Sequence, residues 1–156
     1  MKTLQIDENN ARKLYKTGAP EFKITLEDTF GKEFFSQSVI DRVKSYEDAC
    51  REIGEEPVNE VLLKVAGFTD DEINYRKLKS ITKALNEGWK PDWDDSNERK
   101  WFPWFTMSSS GFAFFVAYYY YSCTAAGGGA RLCFKSSELA EYAGRQFSQT
   151  YKGFMI

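Results

Sequence analysis

Apolar residues in the first ninety positions recur at three- and four-residue intervals, and the chain reads there as a series of short amphipathic helices. Asp7 occupies an N-cap position ahead of Ala11, Leu14 and Tyr15, which share a face, and Gly18 closes the segment. Phe22, Leu26 and Phe30 follow between Pro20 and Gly31, and Val39, Ile40 and Val43 predict a helical turn or two after Ser36. Ser45 caps a better specified helix that Gly54 ends: Asp48 lies in the first turn, where the helix dipole favours an anion, and Tyr46, Ala49, Cys50 and Ile53 form one stripe. Beyond Pro57, the residues Val58, Val61, Leu62 and Val65 keep helical spacing up to Gly67. The strongest helical signal comes next, where Thr69 to Glu72 has capping-box spacing and Ile73, Leu78, Ile81 and Leu85 run on towards Gly88. A short strand is also expected at Thr3–Ile6.

The period changes after a polar loop at 89–97. Two runs rich in aromatic and β-branched residues, 100–107 and 111–122, flank Ser108 to Gly111 and predict a hairpin. A third strand is expected at 130–135 after Gly127 to Gly129, and Ser136 or Ser137 then caps a last helix with Leu139, Ala143, Phe147, Tyr151 and Phe154 along one side. The fold expected is α+β in one domain, 1–156: a mainly helical 1–90 packed with a three-stranded antiparallel meander and a C-terminal helix over 100–156. Simple alternation sends Phe112, Phe114, Val116, Tyr118 and Tyr120 to one face of the second strand and Ala113, Phe115, Ala117, Tyr119 and Tyr121 to the other. Both faces are then apolar, so either helices cover both or one meets a partner.

Composition sharpens this picture. Of the 26 Phe, Trp and Tyr residues, 16 lie in 101–156, which places the bulk of the core there. No charged residue occurs from Trp101 to Ala130, yet the unbroken apolar run from Gly111 to Tyr121 is too short for a membrane span of roughly 20 residues. A net charge of −2 gives no general attraction to nucleic acid or anionic lipid, so any phosphate site is local and no membrane partner is expected. The polar start of the chain lacks a secretion signal, and the three cysteines show no CxxC spacing; both point to a reduced cytoplasmic setting, without disulfides or a zinc site.

The absence of histidine removes Ser-His and Cys-His dyads and most transition-metal sites at once. Cys123 or Cys133 as a nucleophile would need Arg131, Lys135 or a helix N-terminus to lower its pKa, so no enzyme activity is expected. The glycine run lacks P-loop spacing, and the acidic loop of Asp92, Asp94, Asp95 and Glu98 lacks the EF-hand pattern; neither a cofactor nor a metal is assigned. A helix-turn-helix over 45–65 is disfavoured, because Glu55, Glu56 and Glu60 would meet the duplex.

Three stretches carry a resemblance: Ile40 to Cys50; Ala84 to Trp89 with Phe102-Pro-Trp-Phe105; and Arg131 to Lys135 running into Glu138 to Phe147. Together they resemble a family of small proteins of uncharacterised activity from phages, prophages and mobile elements of gut Bacteroidales. The resemblance implies a phage or mobile-element context in a bacterial host, and no catalytic residue carries over from it. In that family the stretch between the Phe-Pro-Trp-Phe and Arg-Leu-Cys-Phe-Lys segments varies most.

Two functions are therefore expected in order of preference. The first is a non-catalytic protein-binding accessory or host-modulating factor, with Tyr118, Tyr119, Tyr120 and Tyr121 as its contact surface, in a homodimer or a hetero-complex through a sheet face. Face contact is favoured over edge pairing, because a three-stranded meander puts 111–122 in the middle. The second is single-stranded nucleic-acid binding, with phosphates on Arg76, Lys77, Lys79 and Lys83 and bases on the tyrosine run.

Overall fold

Side-chain caps set several of the helix starts in the computed structural model, which describes residues 6–109, 111–121, 127 and 129–156. The expected strand at Thr3–Ile6 falls largely outside them. Helix α1 (Glu8–Thr17) begins where the Asp7 carboxylate accepts from Asn10 N–H at 2.8 Å. Helix α2 (Pro20–Phe30) has proline in its first turn, and two short helices follow, α3 (Lys32–Ser36) and α4 (Val39–Arg42). A reciprocal capping box opens α5 (Tyr46–Ile53): Asp48 N–H donates to Ser45 Oγ and Ser45 N–H to the Asp48 carboxylate, both at 3.0 Å. Helix α6 (Glu60–Val65) precedes α7 (Asp70–Leu85), where the Glu72 carboxylate accepts from Thr69 N–H at 2.8 Å.

The core forms around α7. Its Ile73, Leu78, Ile81, Ala84 and Leu85 are buried between α5 on one side and the C-terminal α9 (Ser148–Met155) on another. The expected stripe on α6 does not join them: Val61, Leu62 and Val65 face solvent, since a six-residue helix touches α7 only lightly.

Strands β1 (Lys100–Ser108) and β2 (Gly111–Tyr120) form an antiparallel ribbon, and among the described residues the sheet has these two strands, not three. The segment expected as the third strand instead begins with a 3-10 turn, Ala130–Leu132, and makes one β-bridge, in which Trp101 and Phe134 exchange hydrogen bonds of 2.8 and 3.0 Å. Local chemistry stops it growing. The Asn86 amide at the end of α7 takes its other edge, donating to Cys133 O (2.8 Å) and accepting from Lys135 N–H (3.1 Å). One residue later Ser136 caps α8 (Ser137–Gln146).

The last helix is likewise two. It breaks at Phe147, whose φ of −108° and ψ of 26° leave helical geometry, so α8 can lie across the ribbon while α9 packs on α7. The approach of α8 is close enough that Gly144 sits directly under Phe114 and Pro103. From the other side of α8, Tyr142 Oη donates to Val43 O (2.7 Å) and Gln146 to Lys44 O (2.6 Å). No helix among the described residues is long and apolar enough to cross a membrane.

Candidate functional site: an aromatic ribbon face and a basic groove

One extra residue decides which aromatics reach solvent. In the ribbon Trp104 pairs with Val116 but Phe105 with Phe114, so Phe115 is a β-bulge without a partner. The simple alternation along 111–121 therefore fails at that point. On the tip side Phe112 and Phe114 face α8 and α9, and on the base side it is Ala117 and Tyr119, together with Trp101, Pro103 and Phe105 of β1. Ring contacts trace the inner face: Phe105 lies 4.7 Å from Phe112 and 4.9 Å from Tyr151 of α9, and Trp101 lies 4.7 Å from Tyr119, centroid to centroid.

The outer face carries Phe102, Trp104, Val116, Tyr118 and Tyr120, with the bulge residue Phe115 beside them. It is uncovered: Phe115 keeps 67% of its surface exposed and Tyr118 keeps 53%. Diagonal pairs, Phe102 with Tyr120 at 5.9 Å and Trp104 with Tyr118 at 6.1 Å, hold the rings in an edge-to-face array. The four tyrosines thus divide. Tyr118 and Tyr120 belong to the open face, Tyr119 is half-buried inside, and Tyr121 follows the last residue of the strand, where its hydroxyl accepts from Arg99 Nε at 2.7 Å. That hydrogen bond holds the Tyr121 hydroxyl below the usual phenol range, and the Arg99 guanidinium lies over both Tyr119 and Tyr121.

With only two strands, β2 is not central. Among the described residues no strand pairs with its outer edge, and the expectation that 111–122 lies in the middle of the sheet, which favoured face contact over edge pairing, is corrected.

The base of the ribbon is fixed by a buried cation. Lys100, 0% exposed, sends its ammonium to Asp95 O and Glu98 O (both 3.3 Å) and to the Glu98 carboxylate (3.2 Å), with the Trp93 ring 5.3 Å away. Glu98 also accepts from Trp89 Nε1 and Asp92 N–H, so Lys100 and Glu98 together fold the loop 89–98. Asp92 and Asp95 accept from the loop's own backbone, at Asp94 and Asn97 N–H.

That loop borders an open groove of about 860 Å³. Of the basic residues singled out in the sequence, Arg76, Lys79 and Lys83 line it, while Lys77 lies outside, paired with Glu60 (2.5 Å). The tyrosine run is not among the lining residues. The aromatics that line the groove are Tyr46, Trp89 and Trp93, the two indoles coming from what the sequence pattern reads as an ordinary loop, while Arg76 and Lys79 themselves lie over Phe68 (4.6 Å) and Tyr75 (5.1 Å).

Cys50 and Cys133 are buried free thiols, and burial pushes Cys133 up to about 11, away from an activated thiolate. Cys123 lies outside the described residues, as do Ser122, residues 124–126 and Gly128. Comparison with protein-family models, with curated proteins and with solved structures found no match to the chain.

Proposed function

We propose that the protein is a non-catalytic binding module that docks a protein partner on the outer face of its β-ribbon. The observation that carries this is the patch of Phe102, Trp104, Phe115, Val116, Tyr118 and Tyr120, open on a ribbon whose other face packs on α8 and α9. A contiguous aromatic surface of this kind is a contact site, since Trp and Tyr offer large rigid area with polar tips that stay wet. No charged residue lies between Trp101 and Ala130, and Lys100 at the start of β1 is buried and paired with Glu98, so the outer face offers nothing to neutralise phosphate. The occupant that fits is an uncharged, apolar protein surface. The free edge of β2 adds main-chain hydrogen bonds for an extended segment of the partner.

The resemblance to small proteins of Bacteroidales phages and mobile elements supports an accessory or host-modulating role in the bacterial cytoplasm, with a host protein as partner. The test is affinity capture from a Bacteroidales lysate by the tagged protein and by a Trp104→Ser/Tyr118→Ser double variant, with circular dichroism confirming that the variant folds. A protein retained by the wild type and lost by the folded variant supports the reading; equal retention by both overturns it. Light scattering on the purified chain covers the remaining occupant. A dimer that the double variant dissolves would replace the host protein with a second copy.

A further inference from the structure

Along α7, Arg76, Lys79 and Lys83 follow at i, i+3 and i+7 and so share one face, opposite the buried stripe of Leu78, Ile81 and Leu85. The loop after α7 brings Lys90 to the same groove, and the 3-10 turn brings Arg131. Two carboxylates, Glu55 and Glu56, also line it, and Glu55 pairs with Lys83 at 2.5 Å. Arg76, Lys79, Lys90 and Arg131 have no carboxylate within ion-pair distance among the described residues. In a chain with a net charge of −2, this is a local concentration of uncompensated cations.

The second observation is a buried polar group with nothing to bind. Thr82, 3% exposed, lines the groove, and its hydroxyl has no hydrogen-bond partner among the described residues. The third is the pair of half-buried indoles, Trp89 and Trp93, held in the wall by the Glu98 and Lys100 contacts.

From these we infer that the groove binds a nucleotide: phosphate among Arg76, Lys79, Lys90 and Arg131, and the base against the Trp89 and Trp93 wall. Cations alone would serve any polyanion. The indoles select a planar ring, which an acidic peptide lacks and a nucleobase has. A volume of about 860 Å³ takes a mononucleotide or one to two units of a single strand, and both share this chemistry. The site is separate from the ribbon face, and its failure would leave the partner-binding reading untouched.

The experiment is fluorescence anisotropy of a labelled oligothymidylate dodecamer in low salt, with the full chain. Saturable binding is expected, weakening as salt rises. The Arg76→Ala/Lys79→Ala variant, whose two side chains are exposed, should bind at least about tenfold more weakly, with a salt slope smaller by about 1.4, or about 0.7 for each lost phosphate contact. An abasic strand with the same phosphates should bind at least about tenfold more weakly than oligothymidylate, as expected where stacking contributes. Competition by AMP at equal affinity per site identifies a free nucleotide as the source, and competition only by oligonucleotides identifies a single strand. Absence of binding at about 50 mM salt, where such contacts are screened less than at physiological salt, equal affinity for the abasic strand, or equal affinity for polyglutamate would overturn the inference. The same variant should still capture the ribbon's partner, which separates the two readings.

Discussion

Replacing Gly144 by alanine measures how closely α8 is seated under the ribbon. A Cβ built there stands 2.7 Å from Phe114 Cε2 and 2.9 Å from Pro103 Cβ, and closer still to Phe114 Cδ2. Carbon atoms pack best at about 3.5–4.0 Å, so helix and ribbon must part by about 1 Å or the Phe114 ring must leave its place. Neither is easy. Pro103 cannot rotate away, and Phe114 is held between Phe105, edge to face at 6.1 Å, and the Arg145 guanidinium at 4.6 Å. Alanine gains about 1 kcal/mol of helix propensity over glycine, while overpacking a tight contact costs about 1–3 kcal/mol and parting the layers loosens neighbouring contacts as well. The expected net is a loss of about 1–2 kcal/mol, or about 2–8 °C in Tm for a chain of this size. Thermal and urea unfolding followed by circular dichroism read it. Gly153→Ala is the contrast, since the atoms nearest its Cβ belong to the side chain of Asn74, which can swing aside for the loss of one exposed hydrogen bond to Asp70 O. A Gly144→Ala protein as stable as the wild type, or more so, would refute the close seating.

Lys100→Met removes the cation that folds the loop 89–98. Losing one member of a buried pair costs about 3–5 kcal/mol, but the Glu98 side chain is 22% exposed and can rehydrate, so about 1–3 kcal/mol is expected in urea unfolding, with a red shift of tryptophan emission. Unchanged stability would mean the loop is held by other contacts. For pH, Glu87 is the group to follow: burial opposes its charge, but Arg42, Lys16 and Lys135 outweigh that and hold its carboxyl below the ordinary value. A lowered folded pKa makes the stabilisation complete above the unfolded value, about 4.3, and removes it as pH falls through the folded one. The stability gap between wild type and Glu87→Gln, from urea unfolding across pH 3–7 (roughly the range that brackets it), should therefore close on acidification; a gap that widens would contradict the assignment.

The parts of the fold legible in the sequence are those decided within one turn of chain. Asp7, Ser45, Thr69 and Ser136 announce helix starts because the groups they cap lie two or three residues away. The missing third strand was not legible, because its outer edge is taken by Asn86, 47 residues from Cys133. Nor was the bulge, since an unpaired Phe115 exists only relative to the register of β1. At the groove, helical geometry already separates Lys77 from Arg76, Lys79 and Lys83 by about 100–160° around the axis. Trp89 and Trp93 carried the only other sign: two indoles in a loop that also holds Glu98.

The bulge at Phe115 also gives the ribbon a parity. Residues from the tip to Phe114 and residues from Val116 to the base are two half-ribbons in opposite phase, joined at a single point. Deleting Phe115 itself would restore plain alternation and leave both halves facing as they do, whereas adding or deleting one residue elsewhere in either strand turns one half inside out, putting apolar rings into water and tyrosine hydroxyls against α8. Steps of two, made in both strands at once, lengthen the tip and leave the phase intact. A hairpin built this way can change its reach or its surface chemistry over evolutionary time in even steps, and Phe115 is the position where an odd step leaves both faces in place.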